Sequence, residues 1–267
     1  MFPSLFEIGS IAISSLWMSI ALAFFVTGSS FIKLAVKNKL KVAFITEHFF
    51  GILLYGLIGA RIIYVVSNYQ DYFTEITWLT PLNLMSFWDK GLSFWGGVAG
   101  MSFALYWYCK KNEESFLKWI DVFLLSLLAG LIFGSIGAFL EGINYGKETS
   151  LPWGMTFQNF NIPYTLPIHP SQLYAALYTT ILFFTFYILF LKEKFKNPGE
   201  MGLWIMLSYG MLRFLEEFTR GEETPMFLSL RMEQWIALAG IIIAGVFLSM
   251  RYNATNRISN PDHNVHS

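Results

Sequence analysis

Seven stretches of this chain are apolar over the roughly 20 residues that a helix needs to cross about 30 Å of hydrocarbon. They run approximately 12–33, 43–67, 91–109, 119–144, 171–191, 200–219 and 232–250. In lipid a segment must satisfy its own backbone donors and acceptors, so runs of this length are expected as helices. The expected fold is all-α: a polytopic membrane protein with seven transmembrane helices. Residues 1–250 would form the membrane domain and 251–267 a polar cytoplasmic tail that frays. Composition agrees, since 55% of the 267 residues are hydrophobic and 13% charged, and 27 Phe, 9 Trp and 13 Tyr do not suit a soluble surface.

Orientation follows from the basic residues. Alternate loops and the tail carry Lys33, Lys37, Lys39, Lys41, Lys110, Lys111, Lys118, Lys192, Lys194, Lys196, Arg251 and Arg257, whereas the other side has Lys90, Lys147, Arg220 and Arg231. The positive-inside rule then places the N-terminus outside and the C-terminus in the cytoplasm. Two long loops, 68–90 and 145–170, would face outward, and their Trp78, Trp88, Trp153, Tyr145 and Tyr164 suit the headgroup region. Met1 to Ser10 has no basic residue ahead of the first apolar stretch, so no cleaved signal peptide is expected.

Several function classes are disfavoured. A net charge of zero and the lack of a basic stripe argue against a nucleic-acid partner. The lone Cys109 excludes an internal disulfide and a cysteine-rich metal site. Two of the four histidines, His263 and His266, fall in the polar tail, so neither a metal nor a cofactor is expected. No internal repeat is visible, which disfavours a transporter built from inverted halves.

Against this apolar background, Arg213, Glu217 and Arg220 stand at i, i+4 and i+7 around the segment Met201 to Phe218. An arginine at membrane depth costs on the order of 2.5 to 3.5 kcal/mol even on insertion scales, so it usually faces a bundle interior and marks a site. On one helix the three residues would share a face over about 10 Å of rise. They could simply neutralise one another. The excess cation, Arg213, instead points to a phosphate or carboxylate ligand, which matches the planar guanidinium fork.

Other candidates are less specific. Arg61, with Tyr64 and following Gly56 and Gly59, places a second cation near the outer leaflet, although snorkelling would explain it too. Glu47 and His48 lie at the far end of that span and read as interface residues. Ser93, Gly96, Gly97 and Gly100 could serve close helix packing alone, as could Gly130, Gly134, Gly137 and Gly142 around Glu141. His169, Pro170, Ser171, Gln172 and Tyr174 open the fifth span, where a helix N-terminus could hold a phosphate near Ser171 and Gln172.

Taken in order, these motifs resemble the prolipoprotein diacylglyceryl transferases of bacteria. The resemblance rests on Gly59-Ala60-Arg61 with Tyr64, Gly91 to Gly97, the glycine-rich fourth span, Pro152-Trp153-Gly154, His169 to Tyr174, Tyr209-Gly210 leading to Arg213, Phe214, Glu217 and Arg220, and Met232 with Gln234. It implies an inner-membrane enzyme that moves the diacylglyceryl group of phosphatidylglycerol onto the lipobox cysteine of a prolipoprotein, releasing glycerol phosphate. Arg213 and Arg220, with Arg61 as a third candidate, would meet the phosphate. Glu217 would hold an arginine, and His169 with Tyr174 would orient a headgroup or a loop. Tyr64, Ser93, Gly96, Gly97, Ser171, Gln172 and Glu141 would line the substrate. Cys109 need not act, because the substrate supplies the thiol.

The chain departs from the family pattern at named positions. The motif serine-phenylalanine-histidine-glycine-glycine has Trp95 in place of histidine, and Ser135 and Ala138 stand where the fourth-span signature has arginine and asparagine. The acidic residue expected further on is Ile143, with Glu141 nearby. One reading is a divergent transferase in which Glu141, Glu216 or a lipid phosphate oxygen takes the thiol proton. The alternative is a catalytically silent member of the same fold that binds lipid or prolipoprotein.

Overall fold

The computed structural model describes residues 4–8, 11–73, 80–86, 91–157, 163, 165–224 and 226–259. Trp78, Trp88 and Tyr164, assigned above to the headgroup region, lie outside the described residues. In chain order, strands β1 (Ser4–Ile8) and β2 (Ile11–Ser14) pair antiparallel. Helices α1 (Ser15–Lys37), α2 (Val42–Ser67), α3 (Tyr69–Phe73), α4 (Thr80–Met85) and α5 (Phe94–Lys111) follow. Then come α6 (Phe116–Glu141), α7 (Ser171–Leu191) and α8 (Glu200–Glu216). A 3-10 turn (Glu217–Thr219), a hairpin of β3 (Met226–Phe227) and β4 (Leu230–Arg231), and α9 (Met232–Ser259) complete the chain.

The protein is mostly helical, with the two short hairpins as departures from the all-α expectation. Among the described residues, α1, α2, α6, α7 and the Met232–Asn253 part of α9 are long and apolar enough to cross a membrane. Helix α5 has 18 residues and ends on Lys110 and Lys111, while α8 has 17 and carries Glu200, Arg213 and Glu216, which lowers the apolar character of both. Helix α9 runs on to Ser259, so the first part of the segment expected to fray is helical.

Two helix ends matter for the site. Helix α6 stops at Glu141, earlier than the expected 144, because Gly142 adopts φ 84 and both Gly142 and Ile143 donate to Ala138 O at 2.9 and 3.1 Å. That is the left-handed glycine stop common at helix C-termini. Helix α8 also ends short of the expected 219, since the backbone beyond it bonds to the 145–147 segment instead. Lys147 N donates to Thr219 O at 2.8 Å and Gly221 N to Tyr145 O at 2.9 Å.

By its contacts the chain divides into two compact units, Met1–Leu34 with Asp121–Ser267, and Ala35–Ile120. In the second unit α2 and α5 approach through glycine. A Cβ on Gly59 would lie 2.9 Å from Gly100 Cα, and one on Gly96 would lie 2.8 Å from Ile63 Cβ. At the other end of the pair His48 stacks on Tyr108 with centroids 4.2 Å apart.

In the first unit Gly130 and Gly137 admit Thr27 and Ser19 of α1, whereas Gly134 faces open space. Gly210 brings α8 against Ala237 and Ile241 of α9. The N-terminus of α8, which starts from Gly199 at φ 80, is capped from another helix: the buried Asp121 of α6 accepts from Gly199 N and Gly202 N, each at 2.6 Å. Replacing Asp121 by alanine leaves two buried amides bare, at roughly 1–3 kcal/mol for each lost partner. Thermal unfolding in detergent is expected to show a marked loss for Asp121→Ala and a smaller one for Asp121→Asn, which keeps one acceptor. Unchanged melting in Asp121→Ala would mean that water replaces the cap.

Candidate functional site

Buried charges at the end of α8 form a closed network. Arg213 lies on the last turn of α8, and its two terminal nitrogens diverge: Nη1 reaches Glu216 Oε1 at 2.9 Å and Nη2 reaches Glu217 Oε2 at 2.9 Å. Glu216 is also met by Arg220 Nη1 at 3.5 Å and accepts from Tyr178 OH at 2.8 Å. Glu217, only 1% exposed, has Arg231 Nε 2.6 Å from Oε1 and Arg220 Nε 3.9 Å from Oε2. These last contacts have ion-pair separation without hydrogen-bond alignment. Arg220 Nη2 reaches Glu222 Oε2 at 3.0 Å, and the other oxygen of Glu222 accepts from Asn144 N. Arg231 Nη1 donates to Arg220 O at 3.3 Å.

The sequence placed Arg213, Glu217 and Arg220 on one helical face, and their side chains do meet. The helical-face geometry needs correction. Glu217 belongs to the 3-10 turn, and Arg220 has extended backbone (φ −75, ψ 137) that bridges to Gly146. The excess cation is also corrected. Arg213, Arg220 and Arg231 face Glu216, Glu217 and Glu222, three against three, so the cluster is formally neutral. Burial explains the balance, because an unpaired charge at this depth carries a desolvation cost of several kcal/mol.

The segment leading into α7 is tied to the same unit by side chains read above as substrate contacts. Ser171 and Gln172 are buried, and they donate to Asn144 O at 2.6 Å and Ile143 O at 2.7 Å. Both therefore hold the carbonyls that follow the Gly142 stop, and the anion expected at this helix start finds these donors engaged. Glu141 accepts from Ser14 Oγ at 2.9 Å. Tyr174 OH accepts from Trp153 Nε1 at 2.8 Å and lies 3.2 Å from His169 Nδ1, so Trp153, Tyr174 and His169 form a chain.

Burial pushes the His169 imidazole below its ordinary 6.5. The folded protein thus takes up this proton less readily than the unfolded chain does. His169 has no effect on stability well above pH 6.5 and is increasingly destabilising as pH falls below that value. Melting of the wild type is expected to decline over that acid range, and His169→Gln should flatten the slope. Identical slopes would remove His169 as the titrating group.

In the other unit Arg61 is buried and does not snorkel. Its Nε donates to Leu84 O at 2.8 Å, Nη1 to Gly91 O at 3.3 Å and Nη2 to Tyr72 OH at 3.2 Å. The guanidinium lies 5.7 Å from the Tyr64 ring centroid and 5.5 Å from that of Tyr72, which places it in cation–π range of both. Ser93 caps α5 by accepting from Gly96 N at 3.3 Å. Gly96 packs against α2, and a Cβ on Gly97 would make ordinary contact with Ala60 at 3.7 Å.

Sequence reading missed Arg231, Glu222 and Tyr178 as members of the network. From its sequence position Arg231 reads only as a loop charge. A signal was present, because Arg220 and Arg231 are two of the few basic residues on the side that the positive-inside rule leaves poor in them. Gln234 accepts from Arg231 N at 3.0 Å and so helps to place that arginine.

The family profile for prolipoprotein diacylglyceryl transferase matches residues 3–250. The chain is 35% identical to the phosphatidylglycerol–prolipoprotein diacylglyceryl transferase of Idiomarina loihiensis, over 77% of this chain and 76% of that one. It is 29% identical to the enzyme of that name from Clostridium tetani, over 92% and 96%. Identity to the Haemophilus influenzae enzyme is 30%, over 92% and 91%. A polytopic helical chain with these relatives along nearly its whole length belongs to the prolipoprotein diacylglyceryl transferase family.

Proposed function

We infer that this protein transfers the diacylglyceryl group of phosphatidylglycerol to the lipobox cysteine of prolipoproteins. The family match over residues 3–250 carries this reading. The chain crosses the bacterial cytoplasmic (inner) membrane seven times, with residues 1–250 as the membrane domain and 251–267 on the cytoplasmic side. The basic residues of alternate loops support this orientation.

In the reaction the cysteine sulfur attacks the terminal glycerol carbon, the carbon–oxygen bond to phosphate breaks, and its electron pair leaves with glycerol phosphate. Charge develops on phosphate as that bond opens. Arg213 and Arg220 meet it, and Glu216 and Glu217 hold both guanidiniums in place, so stabilisation needs no reorganisation at the moment of reaction. Glu216 is already engaged by two arginines and the Tyr178 hydroxyl. Glu141 is engaged by Ser14, and Trp95 has no basic atom. A non-bridging phosphate oxygen of the lipid therefore takes the thiol proton, which departs with the glycerol phosphate. His169 and Tyr174 hold Trp153 and the segment around it, and Arg61 secures the segment before α5.

The test is mass spectrometry of a synthetic lipobox peptide incubated with the purified protein in phosphatidylglycerol liposomes. A diacylglyceryl mass added to the cysteine supports the reading. Absence of product from folded protein, with a relative active in parallel, would overturn it in favour of a silent lipid binder.

A further inference from the structure

The β3–β4 hairpin pairs Met226 with Arg231 and Phe227 with Leu230, leaving Leu228 and Ser229 as a two-residue turn at φ 48 and 64. Two successive positive φ values define a type I′ turn, where asparagine and glycine are preferred. Leucine at such a position is intrinsically disfavoured, and a strained residue that persists invites a functional explanation. Leu228 is nevertheless 73% exposed, beside Met226 at 69% and Phe227 at 61%. The tip is not loosely hung. Trp235 Nε1 donates to Phe227 O at 3.0 Å and the two rings lie 6.0 Å apart.

We propose that this hairpin seats Met226, Phe227 and Leu228 among the lipid acyl chains of the bilayer, and that the seat steadies Arg231 on Glu217. Three features select lipid as the occupant. The segment 226–230 carries no charge. It runs directly into α9, whose Met232–Asn253 part is apolar enough to cross a membrane, so the tip continues the apolar surface of a candidate span. Met232, the first residue of α9, is itself exposed and extends that apolar surface. At the base of the same hairpin, directly across from Met226, Arg231 is buried against Glu217 and Arg220. Displacing the tip therefore pulls on the strand that carries Arg231.

This inference requires only a membrane-embedded chain and is independent of the transfer chemistry. The test places a nitroxide on Leu228→Cys or Met226→Cys, in a Cys109→Ala background, with the full chain in vesicles of phosphatidylglycerol and phosphatidylcholine. Collision with oxygen, which concentrates in lipid, is compared with collision with a water-soluble nickel chelate. Both positions are expected to favour oxygen several-fold, whereas Ser150→Cys, at an exposed position between α6 and α7, should favour nickel. Nickel preference at Leu228→Cys would overturn the proposal. So would protection that develops only when a lipobox peptide is added, because the tip would then dock peptide.

A second arm tests the link to Arg231. Leu228→Asp, which suits the left-handed turn but not lipid, and Arg231→Gln should each lower the melting temperature in these vesicles. The double variant should melt no lower than the weaker single one. Additive losses would separate the tip from Arg231.

Discussion

Glu217→Ala is expected to destabilise the protein by about 3–5 kcal/mol, the usual cost of removing one partner from a buried ionic cluster. Glu217 lies within ion-pair distance of Arg213, Arg220 and Arg231, so its loss leaves three guanidiniums facing two carboxylates in a buried setting. Folded domains are typically stable by only about 5–15 kcal/mol, so the loss is a large share of the total. Glu217→Gln keeps the volume and should lose nearly as much, because charge is the missing quantity. Adding Arg231→Gln to Glu217→Gln restores neutrality, and the pair should lose less than the sum of the single changes. Thermal unfolding in detergent reads all three variants. Wild-type melting in Glu217→Ala, or strictly additive losses in the pair, would show that the cluster does not hold the end of α8.

The second large effect is on turnover. Arg213→Lys keeps the charge, so the fold should persist, but one ammonium cannot reproduce two nitrogens that separately reach Glu216 and Glu217. If Arg213 is the group that meets the departing phosphate, transfer to a lipobox peptide should fall by about 10²- to 10³-fold, as for loss of one donor to a developing anion. The diacylglyceryl product measured by mass spectrometry gives the rate, and a melting curve of the same sample separates chemistry from folding. Undiminished transfer would remove Arg213 from the phosphate site.

Much of this was legible in the sequence, for reasons that differ by residue. Helices cover the apolar stretches because long apolar runs have few other ways to bond their backbone in lipid. Gly59 and Gly96 were readable as packing positions because only a missing side chain lets two helices come this close. Arg213 with Glu217 was readable because i, i+4 spacing brings them together on a helix. Ser171 and Gln172 were readable as donors at the start of α7, but not the groups they hold within the fold. Those are the carbonyls of Asn144 and Ile143, which follow the stop of α6 at Gly142. Arg61 was open to two readings, and the burial and bonding that exclude snorkelling depend on where the segments around Leu84 and Gly91 return.

The sequence by itself determined that the chain is helical and apolar enough for a membrane and that costly arginines lie near the end of α8, because both follow from local composition and spacing, while its ordered motifs carried the family resemblance. Only the tertiary structure decided how that cluster is balanced. Arg231 and Glu222 join it through a hairpin and a turn, and backbone bonds from the 145–147 segment end the helix before Arg220. Ion pairing acts through space, and no periodicity along the chain encodes which distant charges will meet.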